Sequence, residues 1–231
     1  AEQQVAEVAQ KVAKEKYGLD VELVTFNDYV LPNEALSKGD IDVNAFQHKP
    51  YLDQQIKDRG YKLVSVGNSF VYPIAGYSKK IKSLDELQPG SQVAIPNDPT
   101  NLGRSLLLLQ QVGLIELKEG VGLLPTSLDI IENPKNLKIV ELEAPQLPRS
   151  LDDAQIALAV INTTYASQIG LTPAKDGIFV EGKESPYVNL IVAREDNKDA
   201  ENVKKFVQAY QSDEVYEAAN KIFNGGAVKG W

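Results

Sequence analysis

The sequence predicts an α/β protein, on three observations. Strand-like and helix-like patterns alternate along the chain. Residues 156–161, Ile-Ala-Leu-Ala-Val-Ile, are apolar throughout, the pattern of a strand covered by helices on both faces. Helical stretches are punctuated by glycine, at Gly18, Gly39, Gly60 and Gly170. The 231 residues suit one large domain or two lobes of ordinary size.

Taken in order, Val5, Val8, Ala9 and Val12 repeat at helical spacing and give an amphipathic helix that stops near Gly18. Residues 20–26 alternate polar and apolar, as a half-buried strand does. Residues 32–38 read as a short helix, 41–45 as a strand, and 50–59 as a helix closed by Gly60. Strands are expected at 62–66 and 70–77. After a change of composition at residues 78–82 a second series begins, with a strand at 92–95. A helix follows over 99–112, with Asp98 as N-cap and Pro99 at its first position. Residues 127–132 read as helix, 137–142 and 155–161 as strands, 163–168 as helix and 188–193 as strand. Two final helices carry the apolar stripes Val203, Phe206, Val207, Tyr210 and Val215, Ala218, Ala219, Ile222.

Composition excludes several functions. A net charge of −8 offers no basic face for nucleic acid. With no cysteine there is no disulfide, thiolate metal site or thiol nucleophile. One histidine, His48, rules out a zinc site built on several histidines. No recognisable nucleophile–base pattern accompanies it, so no cofactor and no catalysis are expected. No apolar run approaches the roughly 20 residues of a membrane helix.

The pattern of residues 156–161 is that of a parallel sheet covered by helices, and in such sheets ligands bind beyond the carboxyl ends of the strands. That rule selects Asn27, Asp28 and Tyr29; Phe46, Gln47, His48 and Tyr51; Asn97, Asp98 and the helix carrying Arg104; and Asn162. Rings, amides and one arginine suit a small zwitterion with an apolar side chain. In Pro96-Asn97-Asp98-Pro99-Thr100-Asn101-Leu102-Gly103-Arg104 the first helical turn attracts anions, Gly103 permits a close approach, and Arg104 can offer a planar fork to a carboxylate. An ordinary capped helix with a surface arginine has the same spacing. Tyr29, Phe46 and Tyr51 could wall a pocket, where aromatic edges suit a thioether, or could be core residues. His48 fits a packing or ligand-contact role better than catalysis. Asn162, ending an apolar strand, and Asn189, inside one, must find partners, either in neighbouring backbone or in a ligand's charged groups.

Four stretches carry a resemblance. They are Asn44-Ala45-Phe46-Gln47-His48-Lys49-Pro50, the segment from Ala94 to Arg104, Gln146-Leu147-Pro148-Arg149, and the ending Phe223-Asn224-Gly225-Gly226-Ala227-Val228-Lys229-Gly230-Trp231. In these, and along nearly its whole length, the chain resembles the methionine-binding lipoproteins of bacterial ABC importers. The resemblance implies a type II periplasmic-binding-protein fold. Two α/β lobes, residues 1–77 with 189–231 and residues 78–188, would be joined by two crossover strands near 76–78 and 187–190, with methionine held between the lobes. It implies ligand contacts at Tyr29, Phe46, His48, Tyr51, Arg104, Asn162 and Asn189. Arg104 would take the carboxylate, the asparagines the zwitterionic head, and the rings with His48 the thioether tail. The implied partners are methionine and the permease and ATPase subunits of the importer, the protein itself being a monomer. It also implies a lipid anchor at the periplasmic face of the inner membrane, through an N-terminal cysteine that these residues do not contain. The family's first strand is absent as well, so a segment upstream of Ala1 is expected.

Three other readings share the architecture. A same-fold binding protein for a related amino acid or a methionine-containing dipeptide differs only in ligand. The tetrapyrrole-forming enzyme of this architecture holds its cofactor through a cysteine, which is lacking here. The effector domain of a transcription regulator would need a DNA-binding module and a basic face.

Overall fold

A computed structural model describes residues 2–182 and 185–231. The chain divides into two compact units, Ala1–Tyr72 with Lys183–Trp231, and Pro73–Gly182. The first division falls five residues before the expected one, at 72 against 77. The reason is that strand Ala75–Tyr77 pairs with Ile156–Ile161 and Phe179–Val180, inside the second unit. The second falls six residues earlier, at 182 against 188, and the ring of Tyr187 packs on His48 of the first unit.

The sheet of the first unit runs in the order Val43–His48, Asn189–Arg194, Leu63–Asn68, antiparallel throughout. Alternate residues of the central strand point to opposite faces. Leu190 and Val192 pack with Leu36, Leu52 and Leu63, beneath helices Leu31–Lys38 and Lys49–Arg59. Ile191 packs with Val5, Ala9, Phe206, Val215 and Phe223, beneath helices Glu2–Tyr17, Glu201–Tyr210 and Asp213–Ile222. Helices therefore cover both faces, and each fully buried side chain of this kind contributes about 1.5–3 kcal/mol. The ending quoted above closes this unit: Val228–Lys229 pairs with Phe70–Val71, and Trp231 meets the Phe70 ring edge-on at 5.1 Å.

The sheet of the second unit has the order Phe179–Val180, Ala75–Tyr77, Ile156–Ile161, Gln92–Pro96, Lys138–Leu142. Gln92–Pro96 runs parallel to both of its neighbours; Ala75–Tyr77 is antiparallel to both of its own. Helix Pro99–Gln111 turns Leu102, Leu106 and Leu109 into the core, at spacings of four and three, against Val93, Ile95, Leu158 and Val160.

Three expected elements differ. Residues 20–26 form no ladder among the described residues, and none of their side chains is fully buried. Alternation makes a strand only where a neighbour supplies the hydrogen-bonding partners; here the Val21 carbonyl accepts from the Gln10 side chain at 2.6 Å instead. The expected strand 70–77 is two strands, broken at Pro73, which has no N–H to donate. Residues 127–132 are not a helix. One 3₁₀ turn, Ser127–Asp129, is closed by reciprocal bonds between Thr126 and Asp129, and Ile130–Glu132 then pairs with Glu116–Leu117. Leu128 is 95% exposed, so no apolar face is buried that would extend the helix.

Candidate functional site

In the first unit four of the expected residues meet. The rings of Tyr29, Phe46 and Tyr51 form a triangle with centroid separations of 6.0, 5.9 and 6.0 Å. His48 lies edge-on to Tyr51 at 6.2 Å. Its own position is set by its place in the chain, as the last residue of strand Val43–His48 and the N-cap of helix Lys49–Arg59. Its Nδ1 accepts from the Tyr51 N–H at 3.1 Å. A nitrogen that accepts carries no proton, so the neutral ring presents its other nitrogen as a donor. The Tyr51 hydroxyl donates to the Tyr29 carbonyl at 2.6 Å, which ties the loop carrying Tyr29 to the helix.

Phe46 is aimed by a β-bulge. Asn44 pairs with Val192 and Gln47 with Leu190, so Ala45 and Phe46 together face the single residue Ile191. Bulges redirect side chains in this way. Both flanking residues are buried amides joined to Asn33 of helix Leu31–Lys38. Asn33 Oδ1 accepts from Asn44 Nδ2 at 3.0 Å and from Gln47 Nε2 at 2.8 Å, and Asn33 Nδ2 donates to Gln47 Oε1 at 2.9 Å. This triad was not singled out from sequence, although Gln47 and Asn44 lie within the Asn-Ala-Phe-Gln-His run. Asn189 is in register with His48 on the adjacent strand, and its backbone carbonyl accepts from Ser69 N–H at 2.8 Å. Its half-exposed side-chain amide makes no hydrogen bond among the described residues.

In the second unit, Arg104 and Asn162 are both buried, at 4% and 6% exposure. Arg104 is not the surface arginine of the alternative reading. Its Nε and Nη2 donate to Glu181 Oε2 and Oε1 at 3.0 and 2.7 Å, a fork-to-fork pair that uses two of the five guanidinium N–H groups. Glu181 lies 77 residues away in sequence, and no local pattern marks it. Asn162 is the N-cap of helix Thr163–Ala166, yet its side chain does not cap it. Instead Nδ2 donates to Asn101 Oδ1 at 3.1 Å, and Oδ1 is buried with no donor among the described residues. Asn101 is three residues before Arg104 on one helix, so the two share a face. That i, i+3 spacing is legible in the sequence.

Asp98 starts the same helix. Its Oδ2 accepts from the Asn101 N–H at 3.1 Å, and its two oxygens accept from Asn101 Nδ2 at 3.2 and 3.0 Å. Burial pushes the Asp98 carboxyl above its ordinary value, opposed by these bonds and by that from Thr100. Gly103, expected to permit a close approach, does so for the chain itself: a Cβ there would lie 2.3 Å from the Leu123 carbonyl oxygen. Among the described residues no cluster of three or more His, Asp or Glu side chains is placed to hold a metal, and no helix is long and apolar enough to cross a membrane.

The model of the NlpA lipoprotein family matches residues 1–231. The chain belongs to the NlpA lipoprotein family. Among curated proteins it is 94% identical over 231 residues to the D-methionine-binding lipoprotein of Yersinia pestis, covering all of this chain and 85% of that one. Among solved structures it matches a methionine-binding protein at 93% identity and a TM-score of 0.99, over 100% of this chain and 94% of that one. An ABC-transporter periplasmic substrate-binding protein from Coxiella burnetii is 51% identical, with a TM-score of 0.95 over 99% and 96% of the two chains. A nutrient-binding protein from Burkholderia cenocepacia bound to methionine is 55% identical, with a TM-score of 0.95 over 100% and 96%. These likenesses agree with the α/β, type II periplasmic-binding-protein fold expected for this NlpA-family chain, and the matched proteins are named for binding, not for catalysis.

Proposed function

We propose that this chain is the extracytoplasmic substrate-binding protein of a bacterial ABC importer, that it captures methionine, and that it catalyses no reaction. One observation carries the reading beyond the names of its relatives. The buried Asn162 Oδ1 lacks a donor among the described residues, and it is held through Asn101, whose helix presents Arg104 one turn later. An acceptor without a donor and a guanidinium together match the ammonium and carboxylate of an amino acid. Because Glu181 already balances Arg104, a ligand of zero net charge enters without leaving a buried charge unmet. Tyr29, Phe46, Tyr51 and His48 supply an apolar, aromatic environment suited to a thioether, at about 0.3–1.5 kcal/mol per sulfur–ring contact. Asn189, adjacent to His48, contributes its amide to the polar head. The protein works as a monomer, lipid-anchored at the periplasmic face, and delivers methionine to the permease and ATPase subunits.

Titration calorimetry on ligand-free protein tests this. L-methionine binds one per chain and is recovered chemically unchanged. Methionine amide and 4-(methylthio)butanoate, which lack the carboxylate and the amino group respectively, bind at least tenfold more weakly. Equal affinity for all three, or conversion of methionine to a product, overturns the proposal.

A further inference from the structure

The amide of Asn162 could be turned either way, and only one way presents an oxygen to a ligand. Within the second unit a chain of hydrogen bonds decides which. A carboxylate only accepts, so the Asp98 oxygens require the Nδ2 end of Asn101. Asn101 Oδ1 is thereby turned toward Asn162 and requires its Nδ2 end. The Asn162 Oδ1 is then the atom left over, buried and without a donor among the described residues. Reversing Asn162 would set its Nδ2 against a ligand's ammonium and its oxygen against Asn101 Oδ1, a donor–donor and an acceptor–acceptor contact at once.

We infer that Asp98 is a positioning residue for substrate selection, which acts through Asn101 to hold the Asn162 amide with its oxygen toward the ligand's α-ammonium group. This rests on the amino-acid-binding reading above. The cap role of Asp98 needs only an acceptor for the Asn101 N–H, which Oδ2 supplies at 3.1 Å; the bonds from Asn101 Nδ2 to Oδ2 at 3.0 Å and to Oδ1 at 3.2 Å serve orientation. The two roles can therefore be separated by substitution.

The experiment compares the affinity of L-methionine with that of 4-(methylthio)butanoate, which lacks only the amino group, in wild type, Asp98→Ser and Asp98→Asn. Serine and asparagine both cap helices well, so the helix start is kept. Serine is too short to reach the Asn101 amide, whereas asparagine keeps one acceptor oxygen. The expected result is a methionine preference at least tenfold smaller in Asp98→Ser than in wild type and at least threefold smaller in Asp98→Asn. The desamino ligand should change less than threefold in both. A role confined to folding would weaken both ligands alike and leave the ratio unmoved. An unchanged ratio in either folded variant overturns the inference while leaving methionine binding intact. Wild type that binds methionine and the desamino ligand equally also overturns it. Wild type that binds no methionine overturns the function proposed above.

Discussion

The Arg104–Glu181 pair can be shown to serve both the fold and the ligand by a double-substitution cycle with methionine in place of each side chain. The side chains are 4% and 11% exposed and joined by two bonds of 3.0 and 2.7 Å. Removing one partner from such a pair leaves the other buried and uncompensated, at a cost of roughly 3–5 kcal/mol. For a chain of this length that lowers the melting temperature by roughly 6–20 °C, at about 2–4 °C per kcal/mol. Replacing both with apolar groups of similar volume removes the uncompensated charge, so Arg104→Met/Glu181→Met should regain most of the wild-type stability. Its methionine affinity should nevertheless stay low. If Arg104 holds the carboxylate, the double variant forfeits about 3–5 kcal/mol, or two to three and a half orders of magnitude. Urea denaturation of the four proteins gives the cycle, and calorimetry gives the affinities. A double variant that is stable and binds methionine as wild type does would make Arg104 structural only. Single variants that each cost under about 1 kcal/mol would show that the pair is solvated in solution.

Gly103→Ala should destabilise the second unit by roughly 1–3 kcal/mol, because its Cβ would sit 2.3 Å from the backbone oxygen of Leu123; an unchanged urea midpoint contradicts this. Asn33→Leu should cost about 1–3 kcal/mol for each buried amide group left unmet and should also weaken methionine binding, since Asn33 holds the bulge that aims Phe46. A variant that loses stability but binds unchanged would detach Phe46 from the ligand. The Asp98 carboxyl is raised in the folded state, so it holds its proton more tightly folded than unfolded, and its contribution favours the fold in acid and is lost as pH rises through the raised value. As pH rises from the ordinary value of 3.8, wild-type stability should fall relative to that of Asp98→Asn; a relative rise has the wrong sign.

What the sequence determined by itself is local. The α/β class, the caps at Asp98 and Gly60, the start of helix Pro99–Gln111 and the doubly buried strand Ile156–Ile161 follow from spacing and turn chemistry within a few residues, and the structure contains them all. The clustering of Tyr29, Phe46, His48 and Tyr51 was legible for the same reason: three of the four lie within one strand-to-helix turn. Where the reading of residues 20–26, 70–77 and 127–132 failed, the deciding quantity was non-local, namely whether another strand was present to complete a ladder or a face was available to bury. Only the tertiary structure brought Glu181 to Arg104 across 77 residues and Asn162 to Asn101 across 61. A buried charge or amide must be met by a partner, but nothing in its own neighbourhood in the chain says which distant residue will meet it. The sequence could name the groups that need partners. The fold alone decides which of them are satisfied internally and which, like the Asn162 oxygen, are buried without a donor among the described residues.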